Sequence, residues 1–139
     1  RIFNTYGPRM QLNDGRVVTN FIVQALKNED ITIYGDGSQT RSFSFVDDTV
    51  NGIIALMESN QNDVFNIGNP NEITINELAS TIIDLTNSNS KLINKNLPQD
   101  DPKHRRPDVT KAKTLLNWEP VVKLEDGLTQ TIEWVNSQL

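Results

Sequence analysis

Three arginines and their neighbours hold most of the chemistry open to this chain. Arg41 closes the run Tyr34-Gly35-Asp36-Gly37-Ser38-Gln39-Thr40-Arg41, Arg16 heads a segment of helical periodicity, and Arg105 lies within His104-Arg105-Arg106. A guanidinium stays protonated, and its forked donors match the paired oxygens of a phosphate or carboxylate. Beside a glycine turn, where backbone can come close to a ligand, Arg41 and the amide of Gln39 fit an anion pocket. A surface hairpin with a solvated arginine is the alternative. Arg16 at a helix start opposes the helix dipole, so it is either neutralised nearby or kept to meet an anion that the same terminus favours. For the basic cluster at 104–106, a solvated loop is the competing reading.

Other chemistry is narrowed by what the sequence lacks. It contains no GxGxxG fingerprint, no P-loop and no Tyr-x-x-x-Lys pair, and its single histidine, His104, has no partner at ligand spacing, so no metal site is expected. The adjacent acids Asp47-Asp48 and Asp100-Asp101 read as helix caps or solvated groups rather than an acid–base pair.

The elements that must position these groups alternate, which makes the chain α/β. Ile2, Phe3 and Tyr6 read as a strand stopped by Gly7-Pro8, and the segment from Arg16 to near Asn28, with Val17, Val18, Phe21, Ile22, Ala25 and Leu26 at helical spacing, as an amphipathic helix. Ile31, Ile33 and Tyr34 form a strand entering the glycine turn. Beyond the turn, Phe43 and Phe45 alternate with Ser42 and Ser44 as a half-buried strand. A helix capped by Asp47 then carries Val50, Ile53, Ile54 and Met57 on its apolar face. Residues 64–67 read as a strand, and Thr74 to Glu77 as a capping box, with Ile73 and Leu78 as a hydrophobic staple. Leu92 and Ile93 make a brief strand. Pro98, Pro102 and Pro107 keep 97–108 irregular, Asp108 caps a short helix, and Leu124, Leu128, Ile132 and Val135 mark the last helix.

Composition sets the outer bounds. The 139 residues fit one domain, and a slightly low apolar content fits a face shared with another domain or subunit. A net charge of −5 argues against nucleic-acid binding. No run is long and apolar enough for a membrane span. The lack of cysteine removes thiol chemistry and fits a cytoplasmic location. The chain opens Arg1-Ile2-Phe3-Asn4-Thr5-Tyr6-Gly7-Pro8 without an initiator methionine and reads as cut from something longer.

These residues carry a family resemblance. The opening ten residues, Asn13-Asp14-Gly15-Arg16-Val17-Val18, the 34–41 run, Val46-x-Asp48, Asn66-Ile67-Gly68-Asn69-Pro70, His104-Arg105-Arg106-Pro107 and Leu116-Asn117-Trp118-Glu119-Pro120 resemble the C-terminal part of extended short-chain dehydrogenase/reductases (the NAD-dependent epimerase/dehydratase group) acting on nucleotide sugars. Within that family they are most similar to UDP-glucuronate decarboxylases, ahead of dTDP-glucose 4,6-dehydratases and UDP-glucose 4-epimerases. The resemblance implies that residues 1–139 form the substrate-binding lobe plus one returning strand of the Rossmann sheet, and that the NAD-binding N-terminal part lies outside this sequence. It implies NAD as cofactor, a UDP-sugar as substrate and a homodimer in the full-length enzyme, with the fragment alone inactive. It places Asn4, Thr5 and Gln11 on the cofactor side. Arg16, Val17, Tyr34, Gln39 and Arg41 fall at the nucleotide and diphosphate, and Arg105 at the reacting end, where it orients the substrate and stabilises negative charge. A non-catalytic nucleotide-sugar binding module is the reading from another functional class.

Overall fold

A computed structural model of the chain describes residues 1–96 and 106–139. The elements follow as β1 (Thr5–Tyr6), α1 (Val17–Leu26), β2 (Ile31–Tyr34), β3 (Thr40–Ser42), β4 (Ser44–Phe45) and α2 (Val46–Glu58). The second half adds β5 (Glu72–Thr74), α3 (Ile75–Thr86), β6 (Leu92–Lys95), α4 (Thr110–Leu116) and α5 (Leu124–Asn136). Strands pair two by two: β1 with β4 in parallel, β2 with β6 in parallel, and β3 with β5 antiparallel, which sets Arg41 opposite Ile73.

Helices α1, α3 and α5 owe their position to one apolar stripe each. Phe21, Ile22 and Ala25 from the first, Leu78, Ala79 and Ile82 from the second, and Leu128, Ile132 and Val135 from the third are buried together with Tyr6, Ile31, Ile33, Phe43 and Phe45. Each fully buried aliphatic side chain contributes about 1.5–3 kcal/mol relative to exposure. A smaller cluster of Phe65, Ile67, Ala112 and Trp118 joins α2 to α4.

The predicted capping box is formed: the Thr74 hydroxyl accepts the Glu77 N–H at 3.1 Å, and a Glu77 carboxylate oxygen accepts the Thr74 N–H at 2.8 Å. Ile73 packs against the core that contains Leu78. Asp108 is not the cap of α4, whose N-cap is Val109 with no side-chain cap; it stands one residue ahead, where its carboxylate accepts the N–H of Thr110 at 2.9 Å. Helices α3 and α4 both end on an asparagine in the left-handed region, Asn87 with φ 49° and Asn117 with φ 50°.

Several sequence expectations change. Asp47 is not the cap of α2: the N-cap is Phe45, two residues earlier, and the helix has no side-chain cap. Asp47 lies exposed in the first turn, where its charge complements the helix dipole. The apolar stripe of α2 faces outward, with Val50, Ile53 and Ile54 exposed and Met57 78% exposed. The inward face is Asp48, Thr49 and Gly52, because Ile67 and Trp118 come so close that a Cβ on Gly52 would stand 2.7 Å from one and 2.9 Å from the other. Ser42 and Ser44 are buried as fully as Phe43 and Phe45, because the run is split between two strands that pair on different partners. The strand expected over 64–67 reduces to a single parallel bridge between Ile67 and Ile2, with Val64 exposed. The N-terminal strand is likewise broken into that bridge and β1.

Candidate functional site

The 34–41 run turns as its glycines require. Gly35 and Gly37 have φ of 76° and 75°, and a Cβ on Gly37 would run into the Asn76 amide, which instead donates to the Asp36 carbonyl at 2.9 Å. The Asp36 carboxylate accepts the Ser38 N–H at 2.9 Å and tightens the reversal. The Gln39 amide donates to the Tyr34 carbonyl at 2.7 Å and ties the two sides of the turn together. Arg41 follows on β3 and donates from Nη1 to the Thr40 carbonyl at 2.7 Å, which fixes the plane of its guanidinium.

Two cavities meet at this arginine. The larger, about 440 Å³, is lined by Val17, Asn20, Gln24, Thr32, Tyr34, Gln39, Arg41 and Lys95 among others. The smaller, about 230 Å³, is lined by Asn4, Thr5, Tyr6, Met10, Arg16, Val17, Val18, Arg41 and Phe43. Val17 and Arg41 line both. Arg16 and Arg41 therefore share a wall, although 25 positions separate them in the sequence, and among the described residues neither cavity has an acid in its lining. A third cavity of about 490 Å³ holds Glu72 and Glu77 against Lys123 and none of the predicted residues, so its charge is unsuited to an anion.

Of the predicted set, Asn4 and Thr5 line the smaller cavity, Tyr34 and Gln39 the larger, and Val17 and Arg41 the junction. Gln11 is exposed and lines none of these cavities. Arg105 and His104 lie outside the described residues. Arg16 lines the smaller cavity and is also partnered locally: Nε stands 3.0 Å from the Asp14 carboxylate, which also accepts the Arg16 N–H.

Thr5 is held from below by hydroxyl contacts that sequence reading missed. Its Oγ1 donates to the Phe3 carbonyl and lies 3.1 Å from the hydroxyl of Thr49, which donates to the Ser44 hydroxyl at 3.2 Å. The buried polar positions Ser44 and Thr49, in a stretch otherwise apolar or charged, were the available signal. Asp48 was missed as well. It is 2% exposed and accepts the backbone N–H groups of Val121 and Val122 at 3.1 and 3.0 Å, neither a cap nor a solvated acid. Tyr6 closes the floor: its hydroxyl donates to the Leu124 carbonyl at 3.2 Å, and burial, followed by the charges of Asp48 and Asp126, pushes its ionisation far above the ordinary phenol value. Among the described residues, no three His, Cys, Asp or Glu side chains gather as a metal-binding group, and no helix is long and apolar enough to cross a membrane.

This architecture matches part of Rossmann-type epimerases of the extended short-chain dehydrogenase/reductase class. The chain superposes with a TM-score of 0.95 and 36% identity on UDP-glucose 4-epimerase from Thermotoga maritima, solved with UDP-glucose, over 99% of this chain and 45% of that one. With UDP-glucuronic acid 4-epimerase from Bacillus cereus, solved with UDP-glucuronic acid and NAD, the TM-score is 0.92 at 31% identity, over 100% of this chain and 45% of that one. Residues 1–131 match the family model described as GDP-mannose 4,6 dehydratase, and the chain belongs to that family. Among curated relatives, it is 55% identical to UDP-glucuronic acid decarboxylase 1 of Danio rerio across the whole chain and 33% of the relative. It is 53% identical to the Xenopus tropicalis protein of the same name over the same shares, and 55% identical to UDP-glucuronic acid decarboxylase 4 of Arabidopsis thaliana over 92% of this chain and 29% of that protein. The chain thus spans about a third of the length of these relatives.

Proposed function

We propose that this chain is the nucleotide-sugar-binding region of an NAD-dependent UDP-glucuronate decarboxylase that forms UDP-xylose. The observation that carries the reading is identity of 53–55% to proteins named for that activity, running the whole length of the chain in two of them. The paired cavities support it in shape and charge, since a nucleotide sugar needs an extended cleft with cations at its middle. In this reading Arg41 meets the diphosphate at the junction, assisted by Arg16, with Val17 as apolar wall. Tyr34 and Gln39 border the nucleoside in the larger cavity, and the sugar occupies the smaller.

The cofactor side fits in part. Asn4 lines the smaller cavity beside Thr5, and no hydrogen bond among the described residues engages its side-chain amide, so it can bond a carboxamide or ribose hydroxyl. The Rossmann part that would hold the rest of NAD belongs, in this reading, to the remaining two thirds of the enzyme, against which the outward stripe of α2 packs. NAD supplies, when bound, reversible hydride removal at C4 of the sugar, and the resulting β-keto acid loses CO2 because the carbanion is delocalised as an enolate. Arg105 orients the carboxylate end and stabilises negative charge there. The full enzyme is a homodimer in this reading and works in the cytoplasm.

A second reading, a C4 epimerase, is favoured by the solved structures named above. One incubation separates them. The intact enzyme, given UDP-glucuronate and NAD, is expected to release CO2 and form UDP-xylose. Accumulation of the C4 epimer without CO2 would assign the epimerase instead, and no turnover would leave a binding module.

A further inference from the structure

Gly127 is a glycine that its own backbone does not require. It lies in the first turn of α5, its N–H donates to the Lys123 carbonyl at 3.1 Å, and its φ is not positive. Glycine weakens a helix relative to alanine, so its place here calls for a reason outside the helix. That reason is Tyr6. A Cβ at Gly127 would stand 2.2 Å from the Tyr6 hydroxyl oxygen, 2.9 Å from its ring carbon Cζ and 2.8 Å from Cδ2 of Phe45. The tyrosine is not free to swing aside: it is 2% exposed, and its hydroxyl donates to the Leu124 carbonyl at 3.2 Å. Its ring meets Phe45 at 5.6 Å and Phe43 at 6.5 Å, both edge to face. Tyr6 and Phe43 also line the smaller cavity, and Asn4 and Thr5, which precede Tyr6 in the chain, line it with them. Gly127 itself lines none of the three cavities.

We propose that Gly127 is a positioning residue: by letting α5 come against the Tyr6 hydroxyl, it holds the ring back and sets how much room the smaller cavity gives the sugar. The neighbours of the ring are close-packed, so a ring pushed away from α5 finds space only on the cavity side. Phe43, Phe45, Leu124 and Gly127, the residues that hold Tyr6, are absent from the lining of the larger cavity, so the nucleoside end stays as it is. The inference rests on the nucleotide-sugar reading above and adds a residue outside the cleft that fixes the size of its sugar end.

The test is steady-state kinetics of the intact enzyme with NAD, measuring KM for UDP-glucuronate and the inhibition constant of UDP, for the native protein, Gly127→Ala and the double variant Gly127→Ala/Tyr6→Phe. Gly127→Ala is expected to raise KM about tenfold, as overpacking of a close-packed wall does, and to leave the UDP constant unchanged. A purely structural role lowers kcat through the folded fraction and moves neither constant. In the double variant the 2.2 Å contact is gone while the two longer ones remain, so KM returns part of the way. If Gly127→Ala does not fold, the double variant carries the test, with KM still above the native value and the UDP constant unchanged. A native KM in whichever variant folds overturns the proposal. So does an equal rise in KM and in the UDP constant, or a double variant no better than the single one. If the native enzyme neither turns over UDP-glucuronate nor binds UDP, the nucleotide-sugar reading itself fails and takes this inference with it, a result distinct from the others.

Discussion

Asp48 and Val122 lie 74 positions apart, and the buried carboxylate of the first accepts the backbone N–H of the second at 3.0 Å. The other carboxylate oxygen takes the N–H of Val121, and the Asp48 carbonyl takes the Trp118 indole N–H at 3.0 Å. One residue at the start of α2 thus fixes the segment that leads into α5, and α5 supplies the carbonyl that holds Tyr6 beneath the smaller cavity.

Asp48→Ala is expected to destabilise the protein by about 3 kcal/mol. It leaves two backbone donors without their charged acceptor, and hydrogen bonds to charged groups contribute about 1.5–3 kcal/mol each. Chemical denaturation followed by tryptophan fluorescence measures this, because Trp118 sits in the same contact. An unchanged midpoint would show that the clamp contributes nothing.

Tyr6→Phe removes one hydrogen bond at nearly constant volume and is expected to cost about 1 kcal/mol at neutral pH. The sign of its pH dependence follows from a raised folded-state ionisation. In the native protein, stability holds below the unfolded phenol value of about 10 and falls as pH rises above it, because only the unfolded chain ionises freely. The variant should lose part of that alkaline decline. Unfolding midpoints between pH 8 and 11 decide the point.

Thr74→Ala should cost about 1 kcal/mol by uncapping α3. Hydrogen bonds from the Thr74 backbone and hydroxyl hold Glu77 below its ordinary value, so the contribution of this group is present above the usual glutamate range and lost as pH falls through the lowered folded value. Thermal melts from pH 6 to 3 should show the variant and the native protein converging toward acid.

Arg41→Ala in the intact enzyme is expected to weaken UDP-sugar binding by about 1.5–3 kcal/mol, roughly 10- to 150-fold. Isothermal titration provides the measurement. Unaltered affinity would remove Arg41 from the site.

Local signals were legible wherever the physics is local. The capping box at Thr74, the positive-φ glycines at 35 and 37 and the helical stripes of α1, α3 and α5 each depend on residues within a few positions of one another, and each is present as read. The orientation of α2 was not legible. Its apolar stripe marks a face that is outward here, and its buried face was set by Ile67 and Trp118, which arrive from elsewhere in the chain. Asp48 misled for the same reason, since an acid at a helix start is ordinarily a cap, and only the distant backbone of Val121 and Val122 makes it a buried acceptor.

The linear order of residues by itself determined the helices, the turn that carries Arg41 and the family, because propensity, capping and motif spacing act along the chain. Only the tertiary structure decided that Arg16 and Arg41 border one cavity, that Asp14 neutralises the first, and that Lys95 faces the cavity from a strand paired with β2. Those are distances between segments, and they are fixed by the packing of α1 and α3 over the strands rather than by any local preference.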